Sequence, residues 1–575
     1  MRALSISVFA ILALISVPTI LGDYWAYQLS LYLLYACAAT GVGICWGQAG
    51  FLPLGQAVFF GISAYASGLG LLTFTGWVPL SLTLIGAALL SAVIAFVIGL
   101  AVFRKRGENG PYFSMITLAL SLLTFQLATS WDRLTGGYNG LKDIPALPGL
   151  DDYDMQYYLA VGALALALAI GGWLVTAPVG VLWRAIAQNE RRVILFGFNA
   201  NFLKAMAFGV GALLAGIGGA LYAPQQGLVT PQQAGFQLSA DLVIWAAVGG
   251  RGSLWGPVIG ACVIGVMTAQ LRDSISFWEI LMALFFMVMV LLFPAGLIGL
   301  VTRLAGCLPR SASKPRLMAP EAKLARTVPD LKIEGIVAGF NGFKILKDLS
   351  LGIDRKGICC LIGPNGAGKT SAFNLLTGEM PVNSGKILFN GRDLVGMSSH
   401  RIARLGIGRK LQIPSVFSTL TVADNLCIAL WASRASWLDL FRPSSRSWTA
   451  PLLEELRERH TFLRDDQRLA GELSLGQRQI LELVMSLLSE PRLLLLDEPA
   501  AGLSPEETSA IVEVIRWASE RLSGVIVIVE HDMSLVRQLA DNVFVMHNGS
   551  LLAEGSVAEV QANEKVRAVY VGAEK

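Results

Sequence analysis

Up to about residue 300 the chain alternates long apolar runs with short polar breaks; beyond it the runs shorten and charged stretches separate them. A bilayer core about 30 Å thick takes about 20 apolar residues as helix, because lipid offers no partner to a backbone amide. Runs of that kind cover 3–22, 24–47, 57–75, 77–103, 111–131, 157–178, 205–223 and 278–301. The stretch 240–270 is long as well but is broken by Gly249, Gly250, Arg251 and Gly252, and it reads as two passes turning at Arg251. The pattern predicts a polytopic all-α membrane domain of about ten transmembrane passes. Arg2 with the run 3–22 also fits a cleaved leader, but the run lacks a clear small-x-small cleavage site and its removal would spoil the even count of passes.

Lys and Arg orient the loops. Arg104, Lys105 and Arg106 form one basic loop and Arg184, Arg191, Arg192 and Lys204 another, whereas 132–156 holds five acids against Arg133 and Lys142. Short cytoplasmic loops are rich in Lys and Arg, so the basic loops are expected inside and the acidic one outside. Gly209, Gly211, Gly216, Gly218 and Gly219 are spaced to let helix backbones approach closely. Packing of a bundle is the reading taken for them, with a glycine-lined pathway as the other. Gln48, Gln56, Gln126 and Asp132 are candidates for a polar route, and interhelical hydrogen bonding or a loop position explains them equally.

Charge sharpens the division of the chain. Residues 1–303 carry 24 of the 86 Asp, Glu, Lys and Arg side chains, and 304–575 carry the other 62. The net charge of +4 supplies no basic field for nucleic acid. Seven cysteines form no C-x-x-C pair and read as free thiols, and all four histidines stand in the second half. Between the halves, Pro309, Pro315, Pro320 and Pro329 forbid one continuous helix, and Arg310, Lys314 and Arg316 are expected at the anionic leaflet. The expected domains are a membrane domain over 1–303, a linker over 304–330 and a soluble domain over 331–575.

The soluble half carries legible chemistry. An apolar run at 358–362 leads into Gly363, Pro364, Asn365, Gly366, Ala367, Gly368, Lys369 and Thr370, and a helical pattern opens at Ser371. Strand, glycine loop and helix is the context in which backbone N–H groups wrap a phosphate chain, Lys369 reaches the outer phosphates and the Thr370 hydroxyl ligates Mg²⁺. A second apolar run at 492–496 ends in Asp497 and Glu498, and a third at 525–529 ends in Glu530, His531 and Asp532. Ligands of open α/β sheets bind at such carboxyl ends. Asp497 is therefore expected in the Mg²⁺ shell, Glu498 beside an attacking water, and His531 as a phosphate sensor. The fold expected here is an α/β P-loop NTPase domain.

These motifs, taken in order, resemble the nucleotide-binding domain of an ABC transporter. The stretch 473–477 resembles that family's signature sequence, Gln412 its glutamine loop, and Phe340 the aromatic that stacks on adenine. The resemblance implies that Ser474, Gly476 and Gln477 face the ATP held by a partner ATPase domain. It implies that Gln412 joins the metal and water site and couples it to the membrane domain, and that His531 holds the γ-phosphate and water. Leu475 stands where glycine is commoner, and Ser504 where many members carry Asp.

The membrane half resembles the permeases of branched-chain amino-acid and urea importers, in the stretches 47–61, 134–141 and 184–197. The last of these lies in a basic loop and includes Glu190, where such a permease touches its ATPase. Together the resemblances imply a permease and an ATPase subunit of an ABC importer fused in one chain of the cytoplasmic (inner) membrane. They imply a second permease and a second ATPase subunit, or a homodimer, and an extracytoplasmic substrate-binding protein. Branched-chain or other hydrophobic amino acids are the expected cargo. Urea or short amides are the alternative, because 408–417 and 549–555 look more like urea or short-amide ATPases. An exporter and a non-transporting ATP sensor are the competing classes. The first would need extended charged segments between its passes, and the second would not need Glu498 and His531 together.

Overall fold

The structure is a computed structural model that describes residues 11, 14–74, 76–104, 110–149, 152–293, 295–299, 316–322, 328–340, 343–521 and 524–571. Arg2, half of the expected first pass, Lys105, Arg106, Cys307, Arg310 and Lys314 lie outside the described residues. The chain packs as two units, Met1–Ala187 with Asn201–Ala312, and Gln188–Ala200 with Ser313–Lys575.

The first unit is helical. Its elements are α1 (Asp23–Val42), α2 (Gln56–Thr73), α3 (Trp77–Val102), α4 (Gly110–Ser130) and α5 (Tyr153–Thr176). There follow α6 (Pro178–Leu195), which runs on into the second unit, α7 (Ala200–Gln226), α8 (Phe236–Gly249), α9 (Trp255–Ser274) and α10 (Trp278–Leu292). Six of them, α1 to α5 and α7, are long and apolar enough to cross a bilayer, and α8 to α10 are shorter apolar helices. The run 240–270 does divide at Arg251, whose guanidinium lies over the Trp46 ring with 4.4 Å to the centroid. The run 24–47 is not one regular helix: α1 passes into a π-helical turn over Gly43–Gln48, and Gln48 Nε2 donates to Gly252 O (3.2 Å). The last run, expected to reach Val301, is not one helix: it ends at Leu292, two residues before Pro294, and helical residues resume over 296–299.

Helices α1, α2 and α7 are mostly buried within the unit, while α3 and α4 turn most of their surface outward. Val78, Leu82, Ile85, Leu89 and Val93 of α3 are exposed, an apolar outer face of the kind lipid covers. The interior is set by glycine. A methyl group on Gly218 would stand 2.2 Å from Leu34 O, and one on Gly219 2.1 Å from Phe60 O. The backbones of α7, α1 and α2 thus meet where a side chain has no room, the packing role expected for the α7 glycines. Ser63 Oγ donates to Gly216 O (2.7 Å) between α2 and α7, and Ser91 Oγ to Phe59 O (2.8 Å) between α3 and α2.

The residues set down for a polar route are not gathered on one surface. Gln56 is fully buried with neither amide atom hydrogen-bonded, Gln48 is buried and bonded, and Gln126 and Asp132 are exposed. The stretch 134–141 forms tight turns, with Gly136, Gly137 and Gly140 at positive φ and Leu141 bridged to Val229.

The second unit holds two large sheets and, among the described residues, one two-stranded pairing. An antiparallel sheet has the order β2-β1-β4-β5, formed by β1 (Leu331–Phe340), β2 (Phe343–Ile353), β4 (Ser384–Phe389) and β5 (Arg392–Asp393). The larger sheet has the order β10-β9-β3-β8-β7-β6, formed by β3 (Gly357–Ile362), β6 (Ile407–Lys410), β7 (Leu493–Asp497), β8 (Val525–Val529), β9 (Asn542–His547) and β10 (Ser550–Gly555). All its pairs are parallel except β9 with β10. Strands β7 and β8 are buried throughout, which is why they read as unbroken apolar runs rather than alternating ones. Three helices matter for the site: α11 (Lys369–Leu376), α12 (Leu475–Leu488) and α13 (Pro505–Arg521).

In the expected linker, Leu317–Met318 pairs as a short parallel strand with Trp448–Thr449. Arg316 does not stand free for a membrane surface. Its guanidinium bonds Asp466 (2.9 Å) and lies 3.6 Å from Glu454, because two carboxylates of this unit offer a nearer partner than lipid. Six described cysteines are free, and five of them are buried.

Two consequences are measurable. Gly219→Val should destabilise the solubilised full chain by about 1–3 kcal/mol through overpacking, seen as a lower melting temperature. Gly86→Ala, where nothing lies within 4 Å of the added methyl, should leave the melting temperature unchanged or slightly raised. Glu530 is the second. Burial pushes its carboxyl from 4.5 up to about 7, against the opposing pull of His531. An acid whose folded pKa is raised favours folding at low pH, and that contribution is lost as pH rises from about 4.5 through about 7. Glu530→Gln should flatten the melting temperature across this window relative to the parent chain; identical profiles would refute the assignment.

Candidate functional site

Four neighbouring parallel strands, β3, β8, β7 and β6, end at one edge of the larger sheet. Val529 is in register with Leu361 on one side and Asp497 on the other, and Lys410 pairs with Leu496. The turns that leave these strands therefore converge. After β3 comes the glycine loop, after β7 Glu498, after β8 Glu530 and His531, and just beyond β6 Gln412.

The loop is shaped by backbone conformations that side chains resist. Gly366 (φ 81°) and Gly368 (φ 100°) are left-handed, and Gly368 caps the N-terminus of α11. Lys369 Nζ donates to Gly363 O (2.7 Å) and Pro364 O (3.1 Å), folding back across the loop it would serve. Burial lowers the Lys369 pKa, while Glu498 and Asp497 act to hold its charge. Asn365, Gly366 and Thr370 are exposed beside it, Ala367 is buried, and Ser371 follows Thr370 on the first turn of α11. Phe340 ends β1, and its side chain lies outside the described residues.

Glu498 sits at φ 46°, a costly conformation for a residue with a side chain, fixed by its N–H bond to Val529 O (3.0 Å). That turn brings three strand ends together. Gln412 Nε2 donates to Glu498 Oε2 (2.8 Å), and His531 Nδ1 lies 3.4 Å from Glu498 Oε1. Asp497 is buried and its two oxygens differ. Oδ2 is 3.3 Å from Arg409 Nη2, whereas Oδ1 is buried with no hydrogen-bond partner. Burial raises the Asp497 pKa, and Arg409 opposes the rise. An unpartnered buried carboxylate oxygen at a phosphate-binding edge suits a hard divalent cation, so these residues fit Mg²⁺.

Ser474 caps α12 in a reciprocal bond with Gln477, and a methyl on Gly476 would meet Glu507 Oε1 at 2.2 Å. Leu475 is exposed on the first turn of that helix. Ser504 caps α13: Glu507 N donates to Ser504 Oγ (3.3 Å) and Ser504 N to Glu507 Oε2 (3.2 Å). The serine at this departure from the family pattern thus keeps a helix cap.

A second cluster was not anticipated from the sequence. Helix α6 breaks at Asn189 (φ −152°, ψ 89°), whose Oδ1 accepts from Arg192 N (2.9 Å) and starts a new turn. The segment beyond the break docks on the sheet edge. Gln188 Oε1 accepts from Thr419 N (3.0 Å), and Arg404 Nε donates to Gly197 O (2.7 Å). Arg192 is buried: Nη1 donates to Arg409 O (2.6 Å), lies 3.4 Å from Glu482 Oε1, and Nη2 donates to Ser486 Oγ (3.1 Å). Lys410 Nζ reaches Glu482 Oε2 at 3.9 Å, with both side chains fully buried. Arg191 bonds Glu379 through Nε and Nη2, and Glu379 also accepts from Arg409 Nη1 (2.8 Å). Burial depresses the pKa values of Arg192, Arg409 and Lys410. Burial alone would raise that of Glu379, but Arg191 and Arg409 bring it below the usual range. The available signal was Arg409 and Lys410 side by side in a strand of four residues; two consecutive charges in a buried strand require partners on both faces. Glu190 was the residue singled out in this segment; its neighbours Gln188, Arg191 and Arg192 supply docking bonds.

Comparison with known proteins accounts for both units. Residues 24–293 match the family model of the permease component of the branched-chain amino acid transport system, and residues 346–501 match that of the ABC transporter. Residues 550–575 match the branched-chain amino acid ATP-binding cassette transporter model, which takes in all but the first residue of 549–555, one of the two stretches that resembled urea or short-amide ATPases. The high-affinity branched-chain amino acid transport ATP-binding protein BraF of Pseudomonas aeruginosa is 33% identical over 254 residues, covering 42% of this chain and 98% of that protein. The corresponding LivG of Escherichia coli is 34% identical over 250 residues, with coverage of 42% and 98%. A probable LivG of Archaeoglobus fulgidus is 33% identical over 255 residues, with coverage of 42% and 96%. The chain belongs to the branched-chain amino acid ABC transporter family, with a permease component and an ATP-binding component joined in one polypeptide.

Proposed function

We propose that this chain drives ATP-dependent uptake of branched-chain amino acids across the cytoplasmic membrane. The observation that carries the reading is the meeting of Gln412, Glu498 and His531 at the edge that also presents the glycine loop, in a chain that includes a helical membrane unit. Cargo class rests on the family of both components, and the match of residues 550–575 favours amino acids over urea or amides.

ATP would lie along Gly363, Pro364, Asn365, Gly366, Ala367 and Gly368, with Phe340 against the adenine. Lys369 would leave Gly363 O and Pro364 O for the outer phosphates, exchanging two neutral acceptors for charged ones. Thr370, Gln412 and Asp497 would hold Mg²⁺, and Ser371 would add a hydroxyl to the phosphate cradle. Bound Mg²⁺ supplies positive charge to the phosphate oxygens during transfer. Glu498 orients and deprotonates the attacking water, Gln412 fixes the carboxylate, and His531 faces the γ-phosphate from the other side. Ser474, Gly476 and Gln477 would complete the site of a second ATPase domain. The working assembly would therefore include a second permease and a second ATPase subunit, or another copy of this chain. An extracytoplasmic binding protein would deliver the amino acid. The ATPase unit would lie in the cytoplasm, and in a two-membrane cell the transporter would sit in the inner membrane.

Proteoliposomes holding the intact chain, its partner subunits and the binding protein should take up radiolabelled leucine when given Mg²⁺ and ATP. Glu498→Gln should cut hydrolysis by roughly 100-fold or more, the usual weight of a general base, and abolish uptake while ATP still binds. Entry of urea but not leucine would overturn the cargo, and undiminished hydrolysis by the variant would overturn the role of Glu498.

A further inference from the structure

Three ionic contacts stand in series from the docked segment to the acid assigned to Mg²⁺. Arg191 grips Glu379 with two nitrogens, and Glu379 Oε2 accepts from Arg409 Nη1 at 2.8 Å. Arg409 Nη2 reaches Asp497 Oδ2 at 3.3 Å. The middle of the series is dry, with Arg409 and Asp497 side chains each 2% exposed, whereas Arg191 is 52% exposed. Arg409 is held in place on its other sides. Nη1 also donates to Asn374 Oδ1 (2.8 Å) and Thr377 Oγ1 (3.2 Å), and the guanidinium lies 5.7 Å from the Phe373 ring centre. Those three residues belong to α11 or follow it, so one guanidinium touches the helix behind the glycine loop, the acid after β7, and the partner of the docked segment.

Charges this close and this dry do not act independently. With Arg191 in place, Glu379 divides its charge between two cations. With Arg191 gone, the whole of it falls on Arg409, which is drawn toward Glu379 and away from Asp497 Oδ2. The carboxylate of Asp497 then loses the guanidinium that anchors it.

We propose that Arg409 is a positioning residue through which docking of Arg191 on Glu379 sets the Asp497 carboxylate, so that metal–nucleotide binding reports whether the segment Gln188–Ala200 is seated. The proposal rests on the reading of Asp497 as the acid that faces Mg²⁺. It differs from coupling through Gln412, which acts on Glu498.

The test is equilibrium binding of Mn²⁺ to the full chain in nanodiscs with a non-hydrolysable ATP analogue, read by electron paramagnetic resonance. Arg191→Gln should weaken Mn²⁺ binding by roughly tenfold, the scale of one charge-assisted hydrogen bond, whereas Glu379→Gln removes the pull on Arg409 and should leave the affinity at the parent's level. Adding Glu379→Gln to Arg191→Gln should therefore abolish the loss, and Arg191→Lys should recover part of it. Arg191 is half-exposed, so its variants keep the fold, which unchanged melting curves would verify. Wild-type affinity in Arg191→Gln, alongside lost binding in Asp497→Asn, would overturn the series while leaving the site standing. A double variant as weak as Arg191→Gln alone would overturn it as well. Wild-type affinity in Asp497→Asn would instead sink the site reading beneath it.

Discussion

A guanidinium stripped of water survives only where carbonyls and carboxylates replace the water, and Arg192 is stripped almost completely. Its replacements are Arg409 O, Ser486 Oγ and Glu482. Glu482 in turn is the carboxylate nearest Lys410, which has no exposure of its own. This mutual requirement explains why thirteen residues lying in sequence between membrane helices fold with the ATPase sheet instead. It also fixes where the break in α6 must come. The helix ends its run at Asn189 so that the next turn can present Arg191 to Glu379 and Arg192 to the dry side of β6.

The membrane unit obeys a different rule. Hydrophobicity cannot choose one helix neighbour over another in lipid, so contact depends on how closely backbones approach. Gly218 and Gly219 bring α7 onto α1 and α2, and serine hydroxyls add bonds to main-chain carbonyls at the same contacts. The peripheral α3 and α4 use close glycine contacts on their inner side, Gly216 against Ala88 and Gly55 against Thr117 O, and keep an apolar outer face. A buried amide stands apart from this pattern. Gln56 is enclosed with both amide atoms unbonded, beside Gly41 and Gly211.

Much of this was legible in the residues. Uninterrupted runs such as 525–529 can only be strands buried on both faces, and acids placed at their carboxyl ends had to meet the glycine loop. The run 240–270 had to divide at Arg251, because a lone charge flanked by glycines ends an apolar helix. Three things were not legible. The π-helical turn at Gly43–Gln48 has no residue pattern of its own, since it answers to how the chain turns toward Gln56. Arg316 looked like a membrane-facing cation because its partners, Glu454 and Asp466, lie more than a hundred residues away. Arg191 and Arg192 looked alike, yet one is half-exposed and the other buried, a difference created by the break at Asn189.

The two-residue strand Leu317–Met318 and the segment Gln188–Ala200 tie the ATPase to remote parts of the chain. The cassette is consequently not divisible at a single cut. An ATPase excised at residue 331 would leave behind both Arg192 and the strand beside Trp448, opening the dry face of β6 to solvent with Glu482 facing Lys410 alone. An exchange of cassettes that is to keep this dry face closed has to carry, or find a counterpart for, those thirteen residues from the middle of the permease.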